Sequence, residues 1–114
     1  MMKISPEEFK QAVFDLTRLI PSGRVSTYGA IANCIGASGA SRRVGWALNQ
    51  CFGEIPPVPA HRVVNRLGLL TGAVHFPDDA PMARQLREEG IQVADNQVVG
   101  FDEVFWDPWE AGNG

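Results

Sequence analysis

The 114-residue chain contains no apolar run approaching the roughly 20 residues that a membrane-spanning helix needs. Its opening, MMKISPEEFK, lacks the apolar stretch of a signal peptide, so a cytoplasmic protein is expected. There are only two cysteines, Cys34 and Cys51, and they form no C-x-x-C pair. Metal-ligand spacing is missing as well, so neither a metal nor another cofactor is expected. Both cysteines fall on apolar positions of helical patterns, which reads as buried thiols. Internal repeats and low-complexity runs are absent. The length permits one domain, 1–114, with little room for a second core.

A net charge of −3 argues at first against an anionic partner, but its distribution argues otherwise. Residues 1–75 hold eight lysines and arginines against four acids, whereas residues 76–114 hold two against nine. Such halves suggest a basic face on an otherwise acidic protein, and a basic face suits phosphate. Surfaces also segregate charge with no partner involved, so charge alone leaves both readings open.

The segment SPEEFKQAVFDLTRLI predicts a helix, with Ser5 as cap, Pro6 at the first helical position and Glu8 completing a capping box. Phe9, Val13, Leu16 and Ile20 recur at helical spacing as its buried face. STYGAIANCIG predicts a second helix, capped by Ser26 or Thr27 and stopped by Gly36, with Ile31 and Ile35 inward. After the turn GASGAS, a third helix spans SRRVGWALNQC, and the pair is a helix-turn-helix candidate. On the third helix Val44, Leu48 and Cys51 form an apolar stripe. Arg42, Trp46 and Asn49 share the opposite face, suited to phosphate contact, stacking and base-edge hydrogen bonds. Gly45 is unfavourable inside a helix, which makes sense if something approaches the backbone closely.

Three prolines stiffen the approach to VPAHRVVN, residues 58–65, where His61 and Arg62 follow Ala60 and no nucleophile sits beside the histidine. HRVV and LLTGAV are strand candidates around the turn NRLG, giving a small hairpin or wing. DDAPMARQLREEGIQV predicts a fourth helix, capped by Asp78 or Asp79 and stopped at Gly90, with Met82, Leu86 and Glu89 on one face. An acid on that stripe needs a partner, and a histidine or arginine would serve; a glutamate reaching solvent at a frayed end is the alternative. Residues 94–114 form an acidic-aromatic extension whose Phe101, Phe105, Trp106 and Trp109 are expected to pack back on the core.

GRVSTYGAIA, SRRVGWAL, PAHRVVN and LREEGI occur in the order and approximate spacing of the C-terminal domain of alkylguanine-DNA alkyltransferases, which the chain resembles over residues 5 to about 93. The resemblance implies a mainly α domain with a small β hairpin, a winged-helix-like helix-turn-helix domain of that C-terminal type. In those repair proteins the loop reads Pro-Cys-His-Arg, and its cysteine irreversibly accepts the alkyl group from guanine O6. Here Ala60 stands at the cysteine position, which points to the alkyltransferase-like subfamily. Its members bind alkylated guanine, flip it out, bend the DNA and flag the site for nucleotide excision repair without altering it. The implied partners are double-stranded DNA containing O6-alkylguanine and nucleotide excision repair proteins, with the protein acting as a monomer.

The resemblance also assigns residues. Tyr28 crowds the target nucleotide's phosphate, and Arg42 fills the space the nucleotide leaves in the stack. Thr27, Ser41, Arg43, Trp46 and Asn49 complete the DNA-contacting set, Asn49 standing in for an asparagine that the family has near position 51. His61 and Glu89 are a relay left without its cysteine. Tyr28, Pro59, Ala60, His61, Arg62, Val63 and Asn65 are the expected alkylguanine pocket. LTGAVHFPDD departs from the family's Ser/Gly-rich pattern and lacks an arginine that some members place over the base. Three other readings stay in view: a hydrolytic enzyme with His61 and Glu89 activating water, a methyltransferase relative with residual or engineered-out activity, and a winged-helix regulator reading sequence in the major groove.

Overall fold

Ser5 accepts a hydrogen bond from the Glu8 N–H at 3.1 Å, and the Glu8 carboxylate accepts one from the Ser5 N–H at 3.0 Å. With Pro6 in the first turn, this capping box starts helix α1, Pro6–Leu19. The computed structural model describes residues 4–113, with side chains to residue 110. On α1 Phe9 and Val13 are buried as expected, with Ile20 just beyond its end; Leu16 is half-buried, and Phe14 and Thr17 join the core. Thr17 tolerates burial because its hydroxyl donates to the Val13 carbonyl at 2.7 Å.

Ser26–Thr27 form a short strand, β1, that runs directly into α2, Tyr28–Ile35, followed by α3, Ser41–Leu48. Gly36 ends α2 in the left-handed conformation at φ 84°, where a glycine costs least. Ile31 is buried and Ile35 half-buried. The third helix is shorter than its apolar spacing suggests. It ends at Leu48, with Asn49 as its cap, and Cys51 reaches the core from the turn beyond. Val44 and Leu48 face inward while Arg42, Trp46 and Asn49 are exposed. These three helices enclose a first core that also takes Ala60 and Val63. Cys34 is half-buried rather than buried, and neither cysteine is bonded.

The expected hairpin between HRVV and LLTGAV does not form. Strand β2, Val63–Val64, pairs parallel with β1 instead, in the register Ser26↔Val63 and Thr27↔Val64. A parallel pair needs a long crossover, and α2 with α3 supplies it. NRLG does turn, with the Asn65 side-chain oxygen accepting the N–H groups of Leu67 and Leu69 at 2.9 and 2.8 Å. The chain then runs along a different hairpin: Leu70 N–H donates to Asn96 O and Val98 N–H to Gly68 O, both at 2.9 Å. That hairpin is β3, Val93–Ala94, against β4, Gln97–Val98. Its connecting residues Asp95 and Asn96 both have positive φ, 51° and 62°, as a two-residue type I′ turn demands.

Helix α4 spans Met82–Glu88, and neither Asp78 nor Asp79 caps it. Pro81 takes the cap position without a side-chain bond; the segment ahead is held by Gln85 and Arg84 donating to the Ala80 and Asp79 carbonyls, each at 2.8 Å. Side chains alternate across a strand, so Val63 enters the first core while Val64 enters a second with Val25, Leu70, Met82, Leu86, Ile91, Val93 and Val98. The C-terminal part, with α5 at Phe101–Val104 and α6 at Pro108–Asn113, is strapped to the two residues just ahead of β1. Arg24 donates to the carbonyls of Val104 and Phe105 at 3.0 and 2.6 Å, and Trp106 N–H donates to Val25 O at 2.7 Å. Phe101 and Trp106 pack on the cores and Phe105 stacks against Phe101, but Trp109 stays 57% exposed, against expectation. Among the described residues no helix is long and apolar enough to cross a membrane.

Of the two candidate caps of α2, Thr27 accepts the Ala30 N–H at 3.0 Å, whereas the fully buried Ser26 hydroxyl has no partner among the described residues. The two alanine variants should therefore differ in sign. Thr27→Ala should cost about 1 kcal/mol for the lost cap. Ser26→Ala should be neutral or stabilising by up to about 1 kcal/mol, because an unsatisfied group leaves the core. Urea denaturation of both variants measures the contrast, and an equal loss would contradict it.

Candidate nucleic-acid interface

Parallel pairing of β1 with β2 sorts the residues of GRVSTYG and PAHRVVN to two ends of one short ladder. Ahead of the paired residues lie Gly23, His61 and Arg62; one step beyond them lie Tyr28 and Asn65. The two ends have different chemistry.

At the first end everything converges on Glu89, the C-terminal cap of α4. Its carboxylate accepts the Gly23 N–H at 2.9 Å, His61 Nε2–H at 2.6 Å, and Arg62 through Nε at 3.0 Å and Nη2 at 2.8 Å. Arg62 Nη1 also donates to the Ile20 carbonyl at 2.8 Å. Burial alone would raise the pKa of this carboxyl. The bonds from Arg62, His61 and Gly23 overcome that and hold it at about 2, so Glu89 is ionised and only accepts. Burial lowers the pKa of His61 below its usual 6.5 against the pull of Glu89, so the imidazole is neutral at pH 7. Its single proton must therefore lie on Nε2, facing Glu89, and Nδ1 is left as an acceptor.

Ala60, immediately before this histidine, is 7% exposed and packs in the first core. Cys51 is no substitute for a reactive thiol, since burial pushes its pKa up to about 11. Burial likewise raises that of Cys34. Nucleophilic cysteines need the opposite shift.

At the second end a groove of about 640 Å³ opens between α3 and the segment 71–75. Tyr28 and Asn65 line it together with Ser41, Arg42, Gly45, Trp46, Asn49, Thr71, Gly72 and His75. Arg42 is exposed here, and among the described lining residues there is no carboxylate. Tyr28 is set between two glycines. A Cβ on Gly45 would lie 3.8 Å from its ring, an ordinary contact, while one on Gly72 would lie only 3.0 Å from its hydroxyl. The chain itself thus makes no close approach to Gly45.

The expected residues divide accordingly. Tyr28, Ser41, Arg42, Trp46, Asn49 and Asn65 share the groove. Pro59, Ala60, His61, Arg62 and Val63 are not among its lining; His61 and Arg62 belong to the Glu89 end. Arg43 points to α1, its guanidinium 4.2 Å from the Phe9 ring centre. Thr27 caps α2 and borders a separate cleft with Phe105, Asp107 and Trp109.

The family model described as the DNA-binding domain of 6-O-methylguanine DNA methyltransferase matches residues 8–91. The chain belongs to this family. It is 32% identical to alkyltransferase-like protein 1 of Schizosaccharomyces pombe over 106 residues, covering 90% of this chain and 97% of that one. It is 35% identical over 102 residues to a DNA base-flipping protein of Escherichia coli, covering 88% and 75%. The crystal structure of S. pombe Atl1 in complex with damaged DNA containing O6-carboxymethylguanine superposes with a TM-score of 0.74 at 31% identity, over 92% of this chain and 98% of that one.

In this member of the family, sequence reasoning left out Thr71, Gly72 and His75 on the groove, and the Gly23 N–H and Ile20 carbonyl at the Glu89 end. A backbone group leaves no sequence signal. Thr71 and Gly72 were hidden by reading LLTGAV as a strand, and His75 by missing the 3₁₀ turn that residues 73–75 form.

Both shifts at the Glu89 end make the fold acid-sensitive. A lowered His61 pKa contributes stability that is full above the usual 6.5 and declines as the pH falls below it. A Glu89 value of about 2 against an ordinary 4.5 contributes stability that is full above 4.5 and is lost between 4.5 and 2. Glu89→Gln should cost about 2–4 kcal/mol at pH 7, since it leaves Arg62 without its counter-charge. Its urea midpoint should then change less than the wild type's between pH 4.5 and 2.5. Parallel pH profiles in the two proteins would refute this assignment.

Proposed function

We propose that this protein recognises O6-alkylguanine in duplex DNA, rotates the nucleotide out of the stack and holds it without removing the alkyl group, so that excision repair can act on the marked site. The observation that carries the reading is a part-buried Glu89–His61 hydrogen bond with Ala60, and no nucleophile, at the position immediately before the histidine. An alanine methyl can neither ionise nor accept an alkyl group, and both cysteines are held as thiols by burial. What the chain retains is the means to bind. Family membership, the relatives named for alkyltransferase-like and base-flipping proteins, and the likeness to a complex with damaged DNA support the same conclusion.

In this reading α2 and α3 are the helix-turn-helix that meets DNA. Arg42 fills the vacated place in the stack, Tyr28 presses on the phosphate of the rotating nucleotide, and Ser41, Trp46 and Asn49 contact the strands beside them. Everting a base costs a few kcal/mol, less where alkylation has weakened its pairing, and that difference supplies selectivity for damage. Ala60 is small enough to leave room for bulky O6 substituents, with Tyr28, Pro59, His61, Val63 and Asn65 around it once the site opens to the base. Arg62 supports that wall through Glu89. Binding as a monomer and a cytoplasmic location, where two unbonded thiols stay reduced, complete the proposal.

Arg42→Ala and Tyr28→Ala should each weaken binding to a duplex with one O6-methylguanine by about tenfold, the equivalent of roughly 1.4 kcal/mol. In both, fluorescence from a 2-aminopurine beside the lesion should rise less on binding than with the wild-type protein. Unchanged affinity in both variants would sink the eversion mechanism.

A further inference from the structure

Of the two histidines in the chain, only His61 has a side-chain hydrogen bond among the described residues. His75 is exposed, lies on the wall of the groove that faces α3, and makes no side-chain hydrogen bond or ion pair among the described residues. Its position is nonetheless defined. Gly72 has φ −87° and ψ 0°, a backbone conformation open to any residue, so conformational freedom does not explain the glycine. Space does, because a Cβ there would sit 3.0 Å from the Tyr28 hydroxyl. The segment is thereby seated against Tyr28, and one 3₁₀ turn, closed by His75 N–H donating to Gly72 O at 3.0 Å, carries the imidazole to the groove.

We propose that His75 is the residue on this wall that touches the everted base and sets the preference for the alkylated purine; the proposal rests on the eversion reading above. The chemistry favours it. Alkylation at O6 removes the proton from N1, so the pairing edge offers an acceptor where guanine offers a donor. A ring N–H of His75 can donate to that acceptor edge, whereas guanine's N1–H can be met only by the ring's unprotonated nitrogen, so one fixed orientation of the ring tells the two apart, and the flat ring can also lie against the base. Between Arg66 and Arg84 the chain has no lysine or arginine, so on the 71–75 wall only Thr71 and His75 offer side-chain polar atoms. Opposite stand Arg42 and Trp46 on α3 and Tyr28 on α2. His75 is therefore the aromatic, hydrogen-bonding group on the side away from the helix.

The test uses the whole chain with His75→Ala and three duplexes of one sequence, carrying O6-methylguanine, guanine or an abasic analogue at the central position. His75 packs in neither core, so the variant should keep the wild-type melting temperature. His75→Ala should bind the O6-methylguanine duplex five to ten times more weakly, with affinity for the guanine and abasic duplexes changed by less than about twofold, the scale of a lost hydrogen bond. Equal weakening on the abasic duplex would make His75 a backbone contact and overturn the assignment. Unchanged binding to all three would overturn it too. If wild-type protein showed no preference for the lesion, the eversion reading would fail and this assignment with it; a wild-type preference that survives in His75→Ala would remove this assignment alone.

Discussion

One carboxylate ties together three stretches of chain that are far apart in sequence. Glu89, at the end of α4, binds the turn after α1 through Gly23 and the loop before β2 through His61 and Arg62, and Arg62 in turn holds the last carbonyl of the α1 segment at Ile20. Taking such a group out of water is costly, and its hydrogen bonds more than offset the cost, since its pKa falls to about 2 rather than rising. The consequence is positional. With the upstream ends of β1 and β2 clamped, their register is set, and the residues one step beyond the ladder, Tyr28 and Asn65, come out side by side at the groove.

That arrangement separates support from recognition. The polar machinery that looks catalytic in the sequence, His61 with Arg62, is engaged at the supporting end, where a neutral imidazole donates a hydrogen bond from its one N–H to Glu89 and turns its other nitrogen away from it. In the proposed reading, the residue this relay would have served is Ala60, which packs in the first core. The recognising end carries different groups: Arg42 and exposed aromatic and amide side chains on α3, with no carboxylate among the described lining residues. The acidic half of the chain lies mostly in α4 and the C-terminal segment.

Local order was legible. Ser5, Pro6 and Glu8 announced α1 because capping is chemistry between neighbours, and the 3.6-residue period placed Arg42, Trp46 and Asn49 outward on α3. The inward position of Glu89 followed from the same period, and its need for a histidine or arginine followed from burial. What failed was long-range. HRVV ends in two β-branched residues suited to a strand, yet nothing local says that their partner is Ser26–Thr27, across two helices, rather than the nearby LLTGAV. That one misassignment concealed the turn at 73–75 and so His75. The true hairpin had a readable sign in Asp95–Asn96 between VA and QV, a pair tolerant of positive φ. The role of Arg62 was invisible, because its partners include a backbone carbonyl and a residue 27 positions away.

The central claim is recognition without reaction, and one experiment addresses it directly. Two labelled duplexes, identical except for a single O6-methylguanine, are titrated with the protein, and the DNA is then recovered and digested to nucleosides. The account predicts tighter binding to the methylated duplex and quantitative recovery of O6-methylguanine, even with protein in large excess over a long incubation. Conversion of the lesion to guanine would contradict it, since this chain would then have found an acceptor other than the residue at position 60.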